Sequence, residues 1–198
     1  MNLILASASP RRKALLEQFG LEFTVQVVPT QEQEEGEPLE VAKNNALAKA
    51  VPISIRNPEA LVLGADTIVV LAGKVLGKPK DPHNAREMLH ALSGRDHEVT
   101  TVVALVQGGQ ALDLFSVTTV VSFRKLKEFE IAGYIGTGEP FDKAGGYGIQ
   151  GFGGLLVENI KGCYYNVVGL PMPRLVEALR PLGIEVFPRG DGEGAEFE

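Results

Sequence analysis

The sequence predicts an α/β chain, and three observations carry that reading. Residues 3–6 form a short apolar run that passes through Ser9-Pro10 into a helical pattern. Residues 61–71 form one long run rich in Val, Leu and Ile, and two β-branched runs at 97–106 and 111–123 flank Gln107-Gly108-Gly109-Gln110. Strand and helix signals therefore alternate at the start, and a hairpin occupies the middle of the chain.

In the opening unit Ser9 is placed as N-cap and Pro10 as the first helical residue, where a missing N–H costs nothing. The helix is expected over 10–19, with Gly20 just past its end. Residues 22–28 alternate as a strand, and the acidic stretch 29–37 reads as a surface loop. The next helix carries Val41, Ala42, Asn45, Ala46 and Lys49. It is expected to end at Pro52, because an interior proline removes a hydrogen bond and clashes with the preceding turn. After the 61–71 strand, Ala72-Gly73-Lys74 turns the chain into Val75 and Leu76. Ala85, Met88, Leu89 and Leu92 have helical spacing and predict a helix over 81–93, stopped by Gly94. A short helix at 127–135, a glycine-dense loop at 138–154 and a last helix at 171–182 follow; unstructured connections of that length usually carry function. Length leaves open one large domain or two small lobes sharing a cleft over 1–187, and the acidic, non-periodic stretch 188–198 reads as a flexible tail.

The chain has 198 residues, of which 44% are apolar and 22% charged, the balance of a folded globular protein. No window supplies the ~20 uninterrupted apolar residues that cross a bilayer, since even 61–71 is broken by Asp66 and Thr67. Cys163 is the single cysteine, so no internal disulfide forms, and a cytoplasmic location is expected. A net charge of −6 argues against general nucleic-acid binding, which needs basic clusters to displace counterions. A small anionic ligand is still accommodated if cations converge locally.

Four groups of residues are candidates for chemistry. Ser7, Ser9, Arg11 and Arg12 stand where strand passes into helix; two arginines in a first turn oppose the helix dipole, and a bound phosphate would compensate them. The alternative is that both arginines are solvated. Asp66, followed by Thr67, interrupts an apolar strand, so it is a general base, a metal ligand or a cap at a strand end. Lys49 and Lys78, with Glu32, Glu34 and Glu35, are ambiguous alone, although a carboxylate of that loop is able to hold Mg²⁺ beside phosphates. Finally, Gly146, Gly148 and Gly151 spell G-x-G-x-x-G, but they lie in a polar loop and open no helix, which excludes a dinucleotide fold. Those glycines are expected to let backbone approach a ligand, with Gln150 reading a base edge. His83, His90 and His97 lack metal-site spacing and are expected to be exposed or capping. Cys163 is expected to be a small, partly buried hydrophobe.

Six blocks in order, LILASASPRRKALL (3–16), GADTIVV (64–70), GKPKD (77–81), LSGRDHEVTT (92–101), DKAGGYGIQG (142–151) and GCYYNVVGLP (162–171), resemble the Maf family. That resemblance implies an inosine-triphosphatase-like fold, with a mixed twisted sheet and two lobes flanking a nucleotide-binding cleft, usually as a homodimer. It implies hydrolysis between the α and β phosphates of a nucleotide with Mg²⁺ or Mn²⁺. Asp66 corresponds to the base that activates water, and Arg11, Thr67 and Gln150 to positions of substrate choice. Ser7, Glu32, Lys49 and Lys78 correspond to polar positions around phosphates and metal. The run KAGGYGIQG looks like the branch that acts on dTTP and UTP. Two other readings stay open: a nucleotide-binding regulatory module linked to cell division, and a pyrophosphatase for modified purine nucleotides such as 7-methyl-GTP.

Overall fold

The structure, a computed structural model, describes residues 2–33 and 35–187. Glu34 and the tail expected over 188–198 lie outside the described residues. In order, the elements are β1 (Leu3–Leu5), α1 (Pro10–Gln18), β2 (Thr24–Val25), α2 (Pro38–Arg56), β3 (Leu61–Leu71), β4 (Lys74–Leu76) and α3 (Pro82–Leu92). They continue as β5 (Asp96–Gln107), β6 (Gln110–Phe123), α4 (Glu128–Gly136), β7 (Val157–Lys161), α5 (Tyr164–Val168) and α6 (Met172–Leu179). Among the described residues the strands form one seven-stranded sheet in the order β2-β1-β3-β5-β6-β7, with β4 paired to the far end of β3. β1 runs parallel to β2 and β3, and the other pairs are antiparallel. The sheet is therefore mixed, as expected. No helix among the described residues is long and apolar enough to cross a membrane.

Local chemistry explains most boundaries. Ser9 caps α1 by accepting from the Arg12 N–H, and Asp81 caps α3 by accepting from the Asn84 N–H. The β5–β6 hairpin closes on Gly108 and Gly109, whose φ values of 54° and 83° suit a two-residue turn that only glycine enters without strain.

Several expectations are corrected. α2 does not end at Pro52 but runs on to Arg56. The proline still removes the N–H that would bond the Ala48 carbonyl, yet the following turn is held from outside. Ile53 and Ser54 are buried, the Ser54 hydroxyl accepts from the Gly109 N–H at 3.1 Å, and the Asn57 amide donates to the Ile53 carbonyl at 2.9 Å. Tertiary packing thus outweighs a local penalty. The strand expected over 22–28 shrinks to Thr24–Val25, both exposed. The last helix stops at Leu179 and continues as a 3-10 turn through Leu182. β7 and α5 are not anticipated by periodicity, because each is only five residues long.

The contact between α2 and β3 is unusually close. Ala42, Ala46 and Ala50 face the sheet, and a Cβ on Gly64 would lie 2.3 Å from the Ala46 carbonyl oxygen and 2.9 Å from the Ala50 Cβ. Helix backbone therefore rests directly on strand backbone. On the far side, His97 of β5 is 3% exposed; its Nε2 is 2.7 Å from the Tyr147 hydroxyl, and it meets Phe123 and Tyr147 edge-on. His83 and His90 are exposed as expected, whereas His97 is a core residue, placed inward by strand alternation that histidine spacing cannot reveal.

Two predictions follow from this packing. Gly64→Ala forces α2 away from β3 and lowers unfolding free energy by about 1–3 kcal/mol, read as a lower urea midpoint. Burial pushes His97 from its ordinary 6.5 down to about 4, so the unfolded chain binds a proton between those pH values that the folded chain does not. Its stabilising effect is complete above pH 6.5 and is lost as pH falls toward 4, on the order of 3 kcal/mol at most. Urea titrations across that window show the decline, and His97→Gln flattens it.

Candidate active site

A cleft of about 990 Å³ opens beside the C-terminal half of β1 and the middle of β3. Each lining element contributes chemistry because of how it begins or ends. β1 delivers Ser7 just before the α1 cap; β3 delivers Asp66 and Thr67; α2 delivers Asn45 and Lys49; the loop after β2 delivers Glu32; the segment after β4 delivers Lys78; and the glycine-rich segment delivers Gln150.

The electrostatic centre is Lys49. Its Nζ lies 2.7 Å from Asp66 Oδ1 and 2.8 Å from Glu32 Oε1. This contact exists because the close α2–β3 packing brings a helix lysine within reach of a strand aspartate. Asp66 pairs in register with Val102 in mid-strand, so the reading of a strand-end cap does not apply. Asn45 is buried and joins the same group: it accepts from the Gln33 N–H at 2.8 Å and donates to the Gln33 carbonyl at 3.0 Å. The same amide reaches Asp66 Oδ2 at 3.4 Å. It thereby ties the loop that bears Glu32 to α2. The bond from Lys49 holds the Glu32 carboxyl below its ordinary pKa; partial burial works against this, and the fields of Lys49, Lys78 and Arg12 add to it.

A second centre is Arg12. Its Nε donates to the Gly169 carbonyl at 2.9 Å, Nη1 to Ser7 Oγ at 3.1 Å and Nη2 to Thr67 Oγ1 at 3.0 Å. The side chain is 8% exposed. Burial lowers its pKa, Asp66 and Glu32 offset that, and Arg11 adds to the lowering. Ser7 Oγ also accepts from the Ser9 N–H at 3.2 Å. With both lone pairs used, its proton is left for a group in the cleft.

The sequence offers both arginines to a phosphate, and the resemblance gives substrate choice to Arg11 alone. Neighbouring helical residues diverge by about 100°, and nothing in the pattern says which of two adjacent arginines turns inward. The solvated alternative fails for Arg12. Arg11 is partly exposed and pairs with Asp142 at 2.9 Å, linking α1 to the glycine-rich segment. Lys78 and Gln150 line the cleft with exposed side chains. The structure thus gathers Ser7, Thr67, Lys49, Asp66 and Glu32 into two hydrogen-bonded groups, and sets Arg11, Lys78 and Gln150 around them.

In the 138–154 region Gly148 lines the cleft, while Gly145 and Gly153 serve the packing of the loop. Gly145 has φ 69° and a Cβ there would be 2.9 Å from Val69 Cγ1, while a Cβ on Gly153 would be 2.2 Å from the Gly148 carbonyl oxygen. The segment folds into short 3-10 turns packed on β3 and on itself. Cys163 is a free, partly buried thiol, as expected.

As to metals, no cluster of three or more His, Cys, Asp or Glu occurs among the described residues. Glu32 and Asp66, converging on one ammonium, fit a hard divalent ion instead. Mg²⁺ in particular is commonly held by one or two carboxylates, with substrate phosphates and water completing its shell.

The family described as Maf-like protein matches residues 2–182. A dTTP/UTP pyrophosphatase of Symbiobacterium thermophilum is 50% identical over 192 residues, covering 96% of this chain and 98% of the relative. A dTTP/UTP pyrophosphatase of Halalkalibacterium halodurans is 50% identical over 183 residues, covering 91% and 96%. Among solved structures, a nucleoside-triphosphatase / dITP/XTP pyrophosphatase from Mycobacterium abscessus aligns over 92% of this chain and 96% of its own, at 19% identity and a TM-score of 0.48. Through the match over 2–182 and relatives at half identity, the chain belongs to the Maf family.

Proposed function

We propose that this chain is a nucleoside triphosphate pyrophosphatase that hydrolyses dTTP and UTP to the nucleoside monophosphate and pyrophosphate. The observation that carries the reading is the clamp of Lys49 between Asp66 and Glu32 inside the cleft. Relatives at 45–50% identity that bear the name dTTP/UTP pyrophosphatase support the pyrimidine substrates over a modified purine nucleotide. A module that only bound nucleotides would have no need of a partly buried carboxylate facing the ligand.

Water attack on a phosphoryl group is limited by positioning and by negative charge that accumulates in the transition state. In this reading Asp66 takes the proton from the attacking water, and Lys49 holds that carboxylate in place. Arg12, Lys78 and the free proton of Ser7 bind phosphate oxygens. Arg11, Thr67 and Gln150 select the nucleotide. Glu32 and Asp66 would hold Mg²⁺ or Mn²⁺, which when bound neutralises phosphate charge and polarises the phosphoryl group. The sheet is the common support of two lobes around the cleft. A cytoplasmic location and a homodimeric state belong to the same proposal; the free thiol of Cys163 supports the first and family membership the second.

Asp66→Asn keeps the shape of the cleft and removes the base, so pyrophosphate release from dTTP and UTP is expected to fall at least about a hundredfold with the fold intact by circular dichroism. Near-wild-type turnover would remove Asp66 from its role. Glu32→Gln raises the Mn²⁺ concentration for half-maximal rate by about ten- to a hundredfold, measured by metal titration at saturating UTP.

A further inference from the structure

Behind Arg12 lies a chain of buried hydroxyls whose proton direction can be deduced. Thr101 of β5 is fully buried and pairs across the sheet with Thr67 of β3. Its Oγ1 donates to the Asn166 carbonyl at 3.0 Å, and a hydroxyl has one proton to give. The 2.9 Å contact between Thr101 Oγ1 and Thr67 Oγ1 must then be a donation from Thr67 to Thr101. Thr67 in turn has committed its proton away from the cleft and presents only lone pairs forward, one of which accepts from Arg12 Nη2. The Asn166 side chain fixes the far end: it accepts from the Thr101 N–H at 3.1 Å and donates to the Val99 carbonyl and to Thr119 Oγ1 at 2.8 and 3.0 Å.

We infer that Thr101 is a positioning residue for the phosphate site: by accepting the Thr67 proton it makes Thr67 an obligate acceptor, which locks the Arg12 guanidinium in its binding orientation. The inference rests on the pyrophosphatase reading and extends it to a side chain that never touches the ligand. The two hydroxyls on Arg12 are consequently unlike. Ser7 keeps its proton for a phosphate oxygen, whereas Thr67 has none to offer, so Thr67 contributes to nucleotide recognition through Arg12 rather than by donating to phosphate. Without Thr101 Oγ1 the Thr67 proton loses its acceptor, turns forward, and competes with the Arg12 N–H for the same space.

Thr101→Val tests this with little disturbance to the fold. Valine keeps the branched shape in a buried strand, and the Asn166 carbonyl still accepts from the Gly169 N–H at 3.0 Å. We expect the fold to be retained, with the melting temperature lowered by only about 2–4 °C. kcat/KM for UTP should fall about tenfold, the size expected for a lost bond to a charged group, with the change mainly in KM. Thr101→Ser, which restores the hydroxyl without the methyl, should return to within about twofold of wild type. Binding of the non-hydrolysable α,β-methylene analogue of UTP, followed calorimetrically, should weaken in step for the valine variant alone. Wild-type kinetics in Thr101→Val, or equal loss in the serine and valine variants, overturns the inference while leaving the enzyme reading intact. Absence of both turnover and analogue binding in the wild-type protein overturns the enzyme reading itself, and the inference with it.

Discussion

The ammonium of Lys49 sits between two carboxylates that would repel each other and resist partial burial without it. Asp66 occupies the middle of a strand whose neighbours are Leu, Val and Ile, where an isolated charge would cost several kcal/mol. Lys49 reaches it only because α2 lies against β3 at backbone distance, and that approach depends on the missing side chain of Gly64 and the small faces of Ala46 and Ala50. One ion pair thus links a packing constraint in the core to the charge distribution in the cleft. The same helix carries Asn45, which anchors the loop of Glu32, so α2 sets the relative position of both carboxylates.

The second half of the site is built on a different principle. Arg12, Ser7, Thr67, Thr101 and Asn166 form a continuous hydrogen-bonded path from the cleft through two strands to α5. Here the fixed element is the direction of donors and acceptors as much as the position of a charge. A buried guanidinium with every bond defined is pre-organised, so a polyanion does not have to order it on arrival. Ser7 and Arg12 both line the cleft, and the Ser7 proton and two N–H groups of Arg12 are not used within the network.

Much of this was readable in the sequence, for identifiable reasons. Asp66 stood out because a carboxylate in an apolar strand demands a partner, and the N-cap Ser9 stood out because a side-chain oxygen ahead of a proline has a local explanation. The misreadings share a cause. Pro52 was judged by its local cost, whereas Ile53, Ser54 and Asn57 hold the helix beyond it through contacts distant in sequence. His97 was misread because which way a side chain turns is set by its neighbours in space, and for the same reason the pattern does not tell Arg12 from Arg11. Asn45 and Asn166 carried no signal, since an asparagine that bonds distant backbone looks like any other polar residue in a pattern.

In the proposed reaction an Asp66-activated water attacks the α-phosphorus of the nucleotide, so its oxygen stays with the monophosphate. Single-turnover hydrolysis of UTP in ¹⁸O-enriched water, followed by mass spectrometry of both products, tests it most directly. The label is expected in the monophosphate, with none in pyrophosphate. Label in pyrophosphate, or release of orthophosphate, would contradict the proposed reaction by placing the attack at another phosphorus.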